Sequence, residues 1–126
     1  MPGAAALLVG LLVVVTGAVV SLVNRRAADG RLRRNGVAGI RVRATLRSDE
    51  AWRAGHAAAQ RSSDAAAAVF VLTGLVALVV RSAPWFSGVV LAGMTIGTGV
   101  LLLGVRRAAV AADAAQGPQG GGRPLG

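Results

Sequence analysis

The stretch GAAALLVGLLVVVTGAVVSLV, Gly3 to Val23, decides the fold of this chain, because its 21 residues include no charged side chain. A helix of this length, at about 1.5 Å of rise per residue, spans about 30 Å, the thickness of a bilayer core. A secretory signal peptide is the competing interpretation, but no Lys or Arg precedes the run and no small-residue cleavage site follows it. The stretch therefore predicts a first transmembrane helix over residues 1–23.

Two further apolar runs follow in the second half of the chain. Ala65 to Val80 has 16 uncharged residues, fewer than the about 20 that a span requires, so its helix must begin earlier. We predict a second helix over residues 48–81, with an amphipathic beginning. Ala83 to Val105 has 23 uncharged residues and predicts a third helix over residues 82–107. The short connection makes these two helices an antiparallel hairpin.

The composition agrees with a membrane protein and excludes several classes of function. Of the 126 residues, 54% are hydrophobic and only 15% are charged, against about 25% charged in average soluble domains. The absence of cysteine excludes disulfides, thiolate metal sites and a thiol nucleophile. The predicted fold is an all-α membrane protein of three transmembrane helices, with an amphipathic cytoplasmic segment leading into the second.

The arginines predict the orientation in the membrane. Residues 24–63 contain ten of the 14 basic residues, whereas the connection between the second and third helices has only Arg81. Under the positive-inside rule the N-terminus is outside, and the basic loop 24–47 and the C-terminus are cytoplasmic. Arg106 and Arg107 are expected to end the third helix, and the tail 108–126 to be disordered. The predicted partner of the arginines is anionic lipid rather than nucleic acid, for which no motif is present.

Small residues recur along the first and third predicted helices. Close approach through such residues drives helix association in lipid. We predict two glycine-lined contact faces, which serve either within the chain or between copies in a homo-oligomer. The two faces contain Gly3, Gly10 and Gly17 in the first helix and Gly93, Gly97 and Gly104 in the third.

The segment GIRVRATLRSDEAWRAGH, Gly39 to His56, has the most varied side chains of the chain. Ser48, followed by Asp49 and Glu50, is typical of a helix start, because a hydroxyl can accept an orphan N–H and carboxylates favour the positive end of the helix dipole. Capping therefore explains these three residues without a further function.

Four polar or aromatic residues then repeat every four positions and so share one face of the helix. They are Trp52, His56, Gln60 and Asp64. We expect Trp52 and His56 to anchor the helix at the head-group level, and Asp64 to pair with Arg61. His56 is the single histidine, which excludes a multi-histidine metal site. A role as a proton-sensitive group stays open for it.

The segment RNGVAGIRVRATLRSDEAWRAGHAAA, Arg34 to Ala59, resembles the signature of the SdpI family of bacterial integral membrane proteins. In that family an Asn precedes a Gly-Ile-Arg turn, a Thr-Leu step with a Ser, and a Trp with a His four residues later. This chain departs from the pattern at residues 42–44. The matching positions here are Asn35, Gly39, Ile40, Arg41, Thr45, Leu46, Ser48, Glu50, Trp52 and His56.

The resemblance implies a non-enzymatic protein of the bacterial cytoplasmic membrane. The named member of the family is an immunity factor, which protects its cell from a secreted toxin and sequesters a transcriptional repressor. We therefore expect an immunity-like or regulatory role with a peptide toxin or regulatory protein as partner. The alternatives are an accessory subunit of a membrane complex and a small proton-coupled transporter. No catalytic residue, metal or cofactor is predicted, because no nucleophile motif, metal cluster or phosphate loop is present.

Overall fold

The computed structural model describes residues 3–115, which contain four α-helices and no strand. The three long helices are long and apolar enough to cross a membrane, so the chain is an integral membrane protein, as its sequence predicts. The remaining helix, which is second in the chain, is a single turn. The helices are α1 (Ala4–Ala28), α2 (Arg43–Leu46), α3 (Asp49–Val79) and α4 (Ala83–Ala115).

The helix α1 continues one turn beyond the predicted end of the first span at residue 23. Arg25 and Arg26 lie in its last turn, where cationic side chains favour the negative end of the helix dipole. The chain then turns at Gly30, which has a positive φ of 81°, a conformation that glycine adopts without steric cost. The basic side chains thus extend α1 past the apolar run instead of ending it.

The helix α3 begins where the sequence predicts. Ser48 lies in extended conformation, and its Oγ accepts the Ala51 N–H at 3.0 Å. Asp49 and Glu50 follow in the first turn. The helix ends at Val79, and three residues later the chain enters α4. The predicted capping and the predicted tight connection between the two helices are both present.

The prediction that Arg106 and Arg107 end the third helix is wrong, because α4 continues to Ala115. The expected disorder from residue 108 is therefore also wrong for residues 108–115, while residues 116–126 lie outside the described part. Packing explains the difference. Ala108 and Ala112 are completely buried, and Asp113 forms an ion pair with Arg47 at 3.2 Å. Alanine also has the highest helix propensity.

The helix α3 lies between α1 and α4, whose backbones do not approach each other within the described residues. Glycines allow both approaches. A side chain at Gly74 would lie 2.6 Å from the Gly10 carbonyl oxygen, so the backbones of α1 and α3 are in direct contact. On the other side of α3, a side chain at Gly97 would overlap the Phe70 ring, and one at Gly93 would overlap Thr73.

Five glycines of the two predicted faces therefore lie against α3 within the chain: Gly10, Gly17, Gly93, Gly97 and Gly104. At Gly17 and Gly104 too, an added side chain would contact α3. The predicted homo-oligomer stays a prediction. The outward faces of α1 and α4 carry exposed leucines and valines, which suits contact with lipid.

Candidate functional site

The residues between α1 and α3 form a loop of defined shape rather than a solvated turn. We call residues 35–47 the motif loop. Asn35 builds its first turn: its Oδ1 accepts the N–H groups of Val37 and Ala38, each at 2.8 Å, and its Nδ2 donates to the Arg33 carbonyl at 2.8 Å. The Arg41 guanidinium donates to the Gly36 carbonyl. Local side-chain bonds of this kind fix a turn without regular secondary structure.

Thr45 fixes the second half of the motif loop from inside. Its side chain is completely buried, and its Oγ1 donates to the Ile40 carbonyl at 2.6 Å and accepts the Val42 N–H at 3.2 Å. The hydroxyl therefore satisfies backbone groups on both sides of the bend that leads into α2. Such pairing is required of buried polar groups.

Two buried rings on α3 hold the motif loop against the bundle. His56 is completely buried, and Trp52 is 1% exposed; their ring centroids lie 4.3 Å apart. The His56 Nε2 accepts the Ile40 N–H at 2.8 Å, and the Trp52 Nε1 donates to the Leu32 carbonyl at 2.9 Å. The ring pair therefore binds the chain at two points, before and within the loop.

The hydrogen bonds of His56 define its protonation state. Its Nδ1 lies 2.7 Å from the Trp52 carbonyl oxygen, which can only accept, so Nδ1 carries the proton. Its Nε2 faces the Ile40 N–H, which can only donate, so Nε2 carries none. The arrangement requires the neutral imidazole, with both nitrogens in use.

Gly39 lets the backbone pass directly over these rings. Its φ is +100°, a backbone conformation that residues with a Cβ rarely adopt. A Cβ at this position would lie 2.8 Å from the Trp52 ring and 2.9 Å from the His56 Nε2. Both the conformation and the space therefore require glycine at this position.

A second polar group joins α1 to α3 next to the ring pair. Ser21 donates to Asp64 at 2.6 Å, Gln60 donates to Asp64 at 2.8 Å, and Arg25 forms an ion pair with Asp64 at 3.2 Å. Asn24 donates to the Gln60 Oε1 at 2.6 Å. The prediction that Asp64 pairs with Arg61 is wrong, because its carboxylate pairs with Arg25 across the interface between α1 and α3.

The sequence of this region matches a protein-family model. The model of the SdpI/YfhL protein family matches residues 31–106, more than half of the chain. The chain belongs to the SdpI/YfhL protein family. The matched range begins just before the motif loop and includes α3 and most of α4. Comparisons with curated proteins and with solved structures gave no significant match.

Most residues of the family motif therefore hold the motif loop in place. The structure brings together Gly39, Thr45, Trp52 and His56, while Asn35 and Arg41 shape the loop from within. Glu50 is exposed and, within residues 3–115, has no hydrogen bond or ion pair beyond its place in the first turn. Ser48 caps α3, and Gln60 and Asp64 belong to the second polar group.

The expectation that Trp52 and His56 are head-group anchors is wrong, because both rings are buried under the loop. Sequence reasoning also missed Asn24, the first polar residue after the apolar run of α1, which reaches across to the His56 carbonyl at 2.9 Å. Its signal was its position between Val23 and the arginines. Leu32 was missed without any signal, because it takes part through its backbone.

The neutral state of His56 predicts a pH response. Protonation of the His56 Nε2 would place its N–H against the Ile40 N–H, so that two donors face each other. Acid therefore favours release of the motif loop. The stability that this hydrogen bond contributes is present at neutral pH and is lost as the pH falls. We expect the Trp52 emission to shift to longer wavelength between pH about 7 and about 4. Fluorescence of a Trp85→Phe variant in detergent measures it, since Trp52 is then the only tryptophan.

The His56→Gln variant is the control, because glutamine keeps an acceptor and does not titrate in this range. Its emission should not change with pH. A shift of equal size in this variant would contradict the assignment to His56.

Proposed function

We propose that this family member is a non-enzymatic binding protein of the bacterial cytoplasmic membrane, with an immunity-like or regulatory role, and that the motif loop is its recognition surface. One observation carries the proposal: the buried bonds from His56 to Ile40 and from Trp52 to Leu32 are used to hold a loop in one shape. A loop ordered in advance loses little conformational entropy on binding.

The outward side of the motif loop favours a partner with an apolar and an anionic part. Val37 at its tip is 86% exposed, and Arg41 and Arg43 are also exposed. A peptide toxin or a segment of a regulatory protein could supply a hydrophobic side chain for Val37 and carboxylates for the arginines. A loop held in place by a rigid scaffold is a common arrangement of a binding site.

The distribution of arginine supports the orientation within this proposal. The end of α1, the motif loop, the start of α3 and the last turns of α4 lie at one end of the bundle, which we call the Arg-rich end. The other end has only Arg81 among the described residues. Under the positive-inside rule the Arg-rich end, with the motif loop, faces the cytoplasm and the N-terminus is outside.

Affinity capture from native membranes, through a tag at the C-terminus, tests the proposal. We expect a partner with the unchanged chain and at least a tenfold loss of that partner with the double variant Val37→Ser, Arg43→Ser, because a few central residues supply most of the binding energy. Quantitative mass spectrometry of the captured material gives the ratio. Among the described residues neither the Val37 nor the Arg43 side chain forms a hydrogen bond, and Val37 bonds to Asn35 through its backbone N–H, which serine keeps.

The Arg81→Ser variant is the matched control, since it removes one exposed charge at the opposite end. It should capture the partner as the unchanged chain does. Equal capture by the double variant would show that the motif loop is not the recognition surface.

The two alternative functions have less structural support. The accessory subunit would be held by the glycine faces, but these are occupied inside the chain. The proton-coupled transporter needs Asp64 or His56 to titrate on a path through the membrane. The Asp64 carboxylate is bonded by Ser21, Gln60 and Arg25, and both His56 nitrogens are bonded within the structure that holds the motif loop.

A further inference from the structure

A groove runs between α1 and α4 on one face of α3. It exists because both outer helices pack on α3, while their backbones stay apart. Its volume is about 480 Å³, and residues 38–42 of the motif loop close it at the Arg-rich end. The walls are apolar, formed by Val19, Val20 and Val23 of α1 and by Leu101 and Val105 of α4, and Ser63 of α3 also lines the groove.

The groove contains one buried polar atom without a partner. Asn24 lines the groove and is 4% exposed. Its Nδ2 donates to the His56 carbonyl and to the Gln60 Oε1, and its Oδ1 has no hydrogen-bond partner among the described residues. The amide cannot be reversed, because the His56 carbonyl accepts only. Asn24 therefore lies on the wall of the groove with an acceptor that none of the described residues satisfies, and burial makes such an acceptor costly to leave without a donor.

The remaining chemistry of the groove is ordered by depth in the membrane. Asn24 follows directly on the uncharged run of α1, so it lies at the level of the lipid head groups. Arg41 lines the groove at the same end, while Val19, Val20 and Leu101 lie toward the membrane interior. An occupant thus meets an apolar channel, then an acceptor, then a cation.

We propose that the groove binds an anionic phospholipid whose head group carries a hydroxyl donor, of the phosphatidylglycerol type. An acyl chain fills the apolar part, the phosphate pairs with the Arg41 guanidinium, and a head-group hydroxyl donates to the Asn24 Oδ1. A groove open to the bilayer meets lipid before any other ligand, and the guanidinium matches a phosphate in charge and geometry. This site differs from that of the protein partner proposed above, which binds the outward side of the motif loop, although the exposed Arg41 lies beside both.

Three lipids that differ in one feature each test the proposal. The full chain is purified in mild detergent and offered phosphatidylglycerol, phosphatidylmethanol, which has the same charge but no head-group hydroxyl, or zwitterionic phosphatidylcholine. Native mass spectrometry measures the fraction of protein that retains each lipid. We expect phosphatidylglycerol to bind about fivefold to tenfold more tightly than phosphatidylmethanol, which is the effect of one hydrogen bond, and phosphatidylcholine to bind least.

Variants locate the bound lipid. Asn24→Leu should bind phosphatidylglycerol only as well as phosphatidylmethanol, and Arg41→Gln should weaken both anionic lipids. Arg43→Gln, an exposed arginine that does not line the groove, should change neither. Equal retention of phosphatidylglycerol and phosphatidylmethanol by the unchanged chain would overturn the assignment of Asn24, with water left as its partner. Equal retention of all three lipids, or of none, would overturn the site, and this comparison does not depend on the folding of any variant.

Discussion

Replacement of Gly97 by leucine is expected to destroy the packing of α4 on α3. A side chain at this position overlaps the Phe70 ring. That ring is 2% exposed and packs in the core with Val13 and Ala66, so it has no free space to move into. Overpacking of this kind costs typically about 1–3 kcal/mol and more when the neighbour is fixed, and we expect about 3 kcal/mol for Gly97→Leu. Thermal or denaturant unfolding in detergent micelles measures the loss.

The same helix supplies a matched control. Gly99 lies two residues further along α4, and a side chain there meets nothing within 4 Å. Gly99→Leu should therefore leave the fold intact and increase stability slightly, by up to about 1 kcal/mol, because leucine has a higher helix propensity than glycine. Equal stability of the two variants would mean that the contact between Gly97 and Phe70 does not support the bundle.

Replacement of Gly39 by alanine is expected to release the motif loop while the three long helices stay folded. Alanine at a φ of +100° is strained, and its Cβ would lie within 2.9 Å of both rings. The strain and the overlap together cost about 3 kcal/mol, which corresponds to about a hundredfold change in the population of the released loop. Limited trypsin digestion measures this change, because Arg41 and Arg43 lie within the loop.

Gly36→Ala is the control for this variant. Gly36 lies in the same loop, and its φ is not positive. A Cβ added at this position would have no atom within 4 Å. We expect its cleavage rate to equal that of the unchanged chain. If Gly39→Ala were cleaved no faster than Gly36→Ala, the ring pair would not be what holds the loop. Loss of partner capture by Gly39→Ala, with Gly36→Ala unaffected, would further connect the loop to the proposed function.

The helices could be predicted from the sequence because their cause is local. A run without charge, such as Gly3 to Val23, must satisfy its backbone bonds internally once it is in lipid, and a helix does so within the run itself. The start of α3 at Ser48 was equally local, since one hydroxyl and the next two carboxylates determine it. The end of α4 could not be predicted in this way, because Ala108 and Ala112 continue the helix by burial against other parts of the chain.

The candidate site shows the same division. The order of motif residues indicated the family, which the match over residues 31–106 confirms, and it indicated that Thr45 and His56 needed an explanation beyond capping. Their roles depend on contacts between distant residues, such as the Ile40 N–H with the His56 Nε2 and the Leu32 carbonyl with the Trp52 Nε1. Backbone partners have no signature in a sequence, so the burial of Trp52 was not predicted.

Local patterns were enough to predict three membrane helices, their glycine faces and the family, because hydropathy, small-residue spacing and motif order depend on residues close together in the chain. Three features required the folded structure: the glycines of both faces pack on α3, Asp64 pairs with Arg25, and Asn24 has an unsatisfied acceptor beside a groove. Each of these depends on which residues of α1 and α4 meet α3. That choice is made by the fit of whole helix surfaces, which no local pattern specifies.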